Sequence, residues 1–154
     1  KKQQTREWKA TYFYLKARFF VQIGQLESGI KTANLGLKLY GKREKGRAKY
    51  YNLIGSIVAY KQDYNSAISN YQKALELLEN SNDELQAAYI KNNIANTFFS
   101  LTDYPNAYSY AKEAYLETKA LNDTVYMPSI AGVLAVSEIK LGYYEAAFEH
   151  AQEC

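Results

Sequence analysis

The feature that most constrains this sequence is a period. Ala67, Ala107 and Ala147 are evenly spaced, and so are Tyr64, Tyr104 and Tyr144, at an interval of about 40 residues. Asn82-Asp83 returns one interval on as Asn122-Asp123. Upstream, Gly24-Gln25-Leu26-Glu27-Ser28-Gly29-Ile30 fits the same frame slightly compressed, with Gly29 two positions nearer to Ala67 than the full interval. A unit this small cannot bury an apolar face alone, so neighbouring units must stack and share a continuous core.

Each unit reads as two helices. Tyr51, Ile54, Gly55 and Val58 place an apolar stripe with one small residue on a single helical face, and Ile94, Ala95 and Phe98 repeat it. Ala67, Tyr71 and Ala74 do the same for the second helix. Val133-Leu134-Ala135 followed by Gly142-Tyr143-Tyr144-Glu145-Ala146-Ala147 is a weaker copy of the pattern. Gly55, Ala67, Ala95 and Ala107 are expected where paired helices approach most closely, with neighbouring aromatics filling the remaining volume. The turns Lys61-Gln62-Asp63 and Leu101-Thr102-Asp103 end on an Asp suited to cap the second helix, and Pro105 falls in an opening turn. Asn80-Ser81-Asn82-Asp83 and Asn122-Asp123 supply stop and cap signals between units, and Pro128 delays the start of the fourth first-helix.

The fold class expected is therefore all-α: a right-handed superhelical solenoid of antiparallel helical hairpins. Repeats are expected at about 5–41, 44–81, 83–121 and 123–154, forming one domain over 1–154. The last helix reaches Cys154 short of its register, and no polar capping helix follows, so the reading is of a segment of a longer chain.

Composition narrows the function classes. Apolar residues make up 47% and charged residues 23%, a globular balance that argues against disorder. The net charge of +3 is local, at the first residues and around Lys42-Arg43-Glu44-Lys45-Gly46-Arg47, which reads as a solvated connector. No direct nucleic-acid partner is expected from it, and the tyrosines at repeat landmarks (Tyr51, Tyr64, Tyr71, Tyr104, Tyr144) are assigned to packing. No apolar run reaches the ~20 residues of a membrane span, so no membrane partner is expected within the segment. With one histidine and one cysteine, a metal site has too few ligands, and no phosphate-binding loop or nucleophile elbow appears. His150 is read as a surface or end-cap side chain, and Cys154, in register with Ala74 and Ala114, as a small core residue. The expectation is a protein without catalysis, metal or cofactor, placed in the cytoplasm, or in the periplasm if a signal segment has been removed.

Tyr51, Ile54, Gly55, Val58, Ala67, Tyr71 and Ala74 resemble the tetratricopeptide repeat (TPR) pattern, and the resemblance extends over nearly the whole chain. Three departures stand out. The unit has about 40 residues rather than the roughly 34 of the common pattern. It also lacks the closing proline, with Glu79 and Lys119 in that region; such long units are similar to those of kinesin light chain, LGN and bacterial Rap-type regulators. Ala111 replaces an aromatic, with Tyr108 and Tyr110 placed to compensate. The resemblance implies a concave groove lined by first helices, which maps here onto Tyr14, Arg18, Lys49, Asn52, Ser56, Tyr60, Tyr89, Asn92, Asn96 and Ser100. An Asn amide offers both donor and acceptor to an extended peptide backbone, and Arg18 and Lys49 favour carboxylates. It implies a scaffold whose partner is a protein or peptide segment. Two alternatives share the fold: a sensor region of a bacterial histidine kinase or DNA-binding regulator, and an oligomerisation module that self-associates through an exposed end helix.

Overall fold

Four turns set the architecture. Gly24, Gln62, Thr102 and Gly142 occupy one frame position, and each has a left-handed backbone, with φ of 78°, 64°, 60° and 82°. After each, the chain closes a Schellman motif: Gln25 N–H donates to Phe20 O (2.8 Å), Asp63 to Val58 (2.9 Å), Asp103 to Phe98 (3.0 Å) and Tyr143 to Glu138 (2.9 Å). The orphan carbonyls of each first helix are thus satisfied while the chain reverses. Asp63 and Asp103 then cap the next helix, accepting from Ser66 N and Asn106 N at 3.2 Å. The hydrogen bond from Ser66 is the main reason the Asp63 carboxyl lies below its ordinary pKa.

Thr102 is β-branched in a conformation that glycine adopts without strain. Thr102→Gly is expected to stabilise the chain by about 1 kcal/mol. Thermal unfolding would show it as a rise of roughly 2–4 °C.

The computed structural model describes residues 2–42, 44–79, 81 and 83–153. Arg43, Asn80, Asn82 and Cys154 lie outside the described residues, and with them the core role expected of Cys154 and part of the Asn80–Asp83 stop signal. The helices are α1 (Lys2–Gln22), α2 (Leu26–Leu37), α3 (Ala48–Tyr60), α4 (Tyr64–Leu78), α5 (Glu84–Ser100), α6 (Tyr104–Ala120), α7 (Met127–Leu141) and α8 (Tyr144–Ala151). A 3₁₀ turn covers Lys45–Arg47, and the described residues form no strand. They make two compact units, Lys1–Asn80 and Ser81–Cys154.

In the first unit α1 packs on α2, α2 on α3 and α3 on α4. Its core joins Ala17, Ala33, Leu37, Tyr50 and Ile54. Glycines let the helices close: a Cβ on Gly36 would stand 2.2 Å from the Tyr50 ring, and one on Gly55 2.6 Å from the Tyr71 ring. Tyr50 is fully buried and donates its hydroxyl to the Ala10 carbonyl, and burial holds its phenol above the ordinary pKa. Arg47, read from sequence as part of a solvated connector, is built into the end of α2. Its Nη1 donates to Leu37 O (3.2 Å) and Tyr40 O (3.3 Å), and its Nη2 to Tyr51 OH (2.8 Å).

In the second unit α5 packs on α6, α6 on α7 and α7 on α8. The core joins Ala95, Ala111, Ala114, Tyr115, Ile130, Ala131 and Leu134, with Tyr108 and Tyr110 packed against it. Ala111 belongs to this cluster, and Tyr110, which packs against it, is stacked on Phe98 with ring centroids 5.7 Å apart. One frame position breaks the apolar pattern. Where α3 has Val58 and α5 has Phe98, α7 has Glu138, 2% exposed. A buried carboxylate needs a partner, and His150 Nδ1 stands 2.8 Å from its Oε2 with the Tyr115 ring 4.7 Å away. His150, read from sequence as a surface or end-cap side chain, is partly buried on the last helix and is the partner of Glu138. Tyr144, assigned from sequence to packing, is instead 69% exposed on α8, whereas Tyr64 and Tyr104 are half-buried.

Candidate binding faces

The stripe Lys49, Asn52, Ser56, Tyr60 of α3 recurs one period on as Tyr89, Asn92, Asn96, Ser100 in α5, and again as Ser129, Gly132, Val136, Lys140 in α7. The groove residues expected from sequence stop at the second copy, although the frame carries through to the third.

In the first unit two of the named side chains, Arg18 and Lys49, gather around the ring of a third, Tyr14. Tyr14 is half-buried, edge-on to Tyr50 with centroids 5.8 Å apart. Lys49 Nζ lies 5.2 Å from the Tyr14 centroid and 5.6 Å from that of Tyr50, and the Arg18 guanidinium lies 5.9 Å from Tyr14. Burial lowers the Lys49 pKa, because an ammonium loses hydration there. The aromatic faces offset part of that loss. A cleft of about 500 Å³ opens beside this cluster, lined by Leu15, Arg18, Phe19, Val21, Gln22 and Leu53. Asn52 is half-buried; its carbonyl accepts from Ser56 Oγ at 3.1 Å, and that Oγ in turn accepts from Tyr71 OH at 3.2 Å. Ser56 is thus tied into its own hairpin. Tyr60 stands apart, 79% exposed at the end of α3.

In the second unit Tyr89 is 38% exposed and pairs with the Tyr126 ring at 5.1 Å. Asn92 is 4% exposed, and its Oδ1 is buried without a hydrogen-bond partner. One turn on, Asn96 is exposed and donates Nδ2 to the Asn92 carbonyl at 3.0 Å, and Ser100 Oγ donates to the Asn96 carbonyl at 3.0 Å. Beside Asn96, a cleft of about 310 Å³ lies between α5 and α7, lined by Asn96, Phe99, Ser129, Gly132, Val133 and Val136. Its α7 wall is the third copy of the stripe, in which Gly132 and Val136 replace the two asparagines. The polar face of α5 therefore meets an apolar face of α7.

Lys91, next to this stripe, is bound to Glu117 and Glu113 of α6. Burial works against its ammonium, but the two carboxylates outweigh burial and leave the pKa raised. Among the described residues no group of three or more His, Cys, Asp or Glu side chains could hold a metal ion. No helix among them is long and apolar enough to cross a membrane.

No protein-family model matches the sequence. It is 25% identical over 138 residues to outer dynein arm-docking complex subunit 4 of Xenopus laevis, a match covering 86% of this chain and 25% of that protein. The chain thus spans about a quarter of the length of this curated relative. The solved structure of BtubC (BKLC) from P. vanneervenii superposes with a TM-score of 0.86 at 17% identity, over 96% of this chain and 62% of that one. A Rap protein complexed with competence and sporulation factor gives a TM-score of 0.82 at 22% identity, over 92% of this chain and 40% of that one. Likenesses at this identity speak for the fold, and they agree with the paired helices and common turns described above. The chain has the fold of the tetratricopeptide-type helical repeats.

Proposed function

We propose that this chain is a non-catalytic scaffold that binds a protein or peptide segment on the faces of its first helices. The cleft between α5 and α7 carries the reading. Phe99, Val133 and Val136 form walls for an apolar side chain, while Asn96 and Ser129 stand at its edge to meet the backbone of the same segment. In the first unit, Arg18 and Lys49 around Tyr14 suit a carboxylate on the bound segment. The solved Rap protein complexed with competence and sporulation factor is a neighbour of the same fold.

Stability and binding should separate at Asn92. Asn92→Ala removes the unpartnered oxygen and favours helix, so the unliganded chain is expected to gain about 1 kcal/mol. Peptides selected on the wild-type chain from a random library should bind Asn92→Ala/Asn96→Ala at least about tenfold more weakly. Val136→Glu should abolish binding with circular dichroism unchanged. Full binding by Val136→Glu would remove the α5–α7 cleft as the site.

A further inference from the structure

The cleft between α5 and α7 has its walls on two internal helices of one compact unit. At about 310 Å³ it is at the lower end of the pockets that enclose a whole small molecule, and it suits one side chain of a longer ligand. Phe99, Val133 and Val136, its largest lining side chains, carry no polar atom. A tyrosine hydroxyl or an indole N–H lodged among them would lose its hydrogen-bond partner, whereas an aliphatic side chain has none to lose.

Gly132 lines the same cleft from the interior of α7, where glycine is a poor helix former. Two helix-interior glycines of the first unit show one use for such a residue. Gly36 and Gly55 admit a tyrosine ring of the chain itself, 2.2 Å and 2.6 Å from where a Cβ would stand. Beside Gly132 lies the cleft.

Charge adds a second requirement. In the two copies of the stripe that the second unit carries, Lys140 is the sole charged member. It is exposed, and its Nζ stands over the Tyr104 ring, 5.8 Å from the centroid. That ring lies 5.3 Å from the ring of Phe99, which lines the cleft. The ammonium thus sits one ring beyond the cleft wall. The other ions of α5 and α7 are placed elsewhere. Lys91 is bound to Glu113 and Glu117, and Glu138 is enclosed with His150. Glu84 stands in the first turn of α5, about 18 Å along the helix from Asn96.

Resting on the scaffold reading of the same cleft, we propose that its ligand is an extended segment of a partner protein that places an aliphatic side chain beside Gly132 and a carboxylate, about three or four residues along, on Lys140. Gly132 and Lys140 are about 12 Å apart along α7 at about 1.5 Å per residue. An extended chain covers that distance in three to four residues at about 3.3 Å each.

Selection from a random peptide library on the wild-type chain tests this. The selected sequences should share an aliphatic residue with Asp or Glu at that spacing. The same selection on Lys140→Glu should keep the aliphatic residue and replace the acid by Lys or Arg, a switch that a merely structural lysine would not produce. Peptides selected on the wild type should bind Lys140→Glu about fivefold more weakly, and the loss should shrink in added salt. Gly132→Ala should melt no lower than the wild type, yet bind those peptides about tenfold more weakly and prefer a smaller anchor. Unchanged binding by Gly132→Ala, or an unchanged consensus on Lys140→Glu, overturns the proposal. Peptides that Val136→Glu no longer binds, but that lack the acid at this spacing or carry a Tyr, Trp or polar anchor, overturn it and leave the scaffold reading standing. A library that yields no binder, or binders indifferent to Val136→Glu, overturns both.

Discussion

Gly36→Leu is expected to lower the free energy of unfolding by about 3 kcal/mol or more. The melting temperature should fall with it by roughly 6–12 °C. An added Cβ would lie 2.2, 2.3 and 2.4 Å from Cε1, Cζ and the hydroxyl oxygen of Tyr50. The ring cannot swing aside cheaply. It is fully buried, edge-on to Tyr14, and its hydroxyl is committed to the Ala10 carbonyl. Relief therefore requires either separating α2 from α3 or leaving the Ala10 carbonyl without that donor. Tyr50→Phe isolates the second contribution and should cost about 1–2 kcal/mol. Gly55→Leu repeats the argument against Tyr71, 2% exposed, at about 1–3 kcal/mol. Chemical denaturation of the three variants checks the order, and a neutral Gly36→Leu would contradict the close docking of α2 on α3.

The second large effect is expected in the other unit. His150→Ala should destabilise the chain by about 3 kcal/mol, because it leaves the Glu138 carboxylate buried without its imidazole partner. The edge contact to Tyr115 goes too. The double variant Glu138→Met/His150→Leu removes both polar groups and fills the space, so it should unfold within about 1 kcal/mol of the wild type. A double variant as weak as the single one would mean that α8 is held by other contacts. The candidates are Tyr115 OH donating to Glu153 at 2.7 Å and the Lys119–Glu153 pair at 3.1 Å.

Much of the helical architecture was legible in the sequence, because it rests on local or periodic chemistry. Asp63 and Asp103 could be read as caps since a capping carboxylate acts within three residues of its own position. Tyr108 and Tyr110 stand on the same helix as Ala111 and pack against the cluster to which it belongs, a placement that helical spacing makes local. The left-handed backbone at Gln62 and Thr102 was not, because neither residue type signals it; only alignment with Gly24 and Gly142 does.

The candidate site was less legible. Periodicity places Asn92 and Asn96 on one face of α5, yet one is 4% exposed and the other open to solvent. A step of four residues overshoots one full turn of an α-helix slightly, and that small rotation decides which residue meets a neighbouring helix. The α7 wall of the cleft also escaped, since Gly132 and Val136 do not look like binding residues until a polar helix faces them. His150 and Glu138, on separate helices joined by a turn, show the same limit.

The repeat period by itself determined the paired helices, their turns and where small residues must stand, because those follow from what a stacked hairpin can bury. Tertiary structure alone decided which polar residues of the stripe are covered, which glycine is pressed hardest, and which carboxylate is enclosed. Burial is a property of what lies opposite a residue, and a one-dimensional period contains no record of the opposing surface.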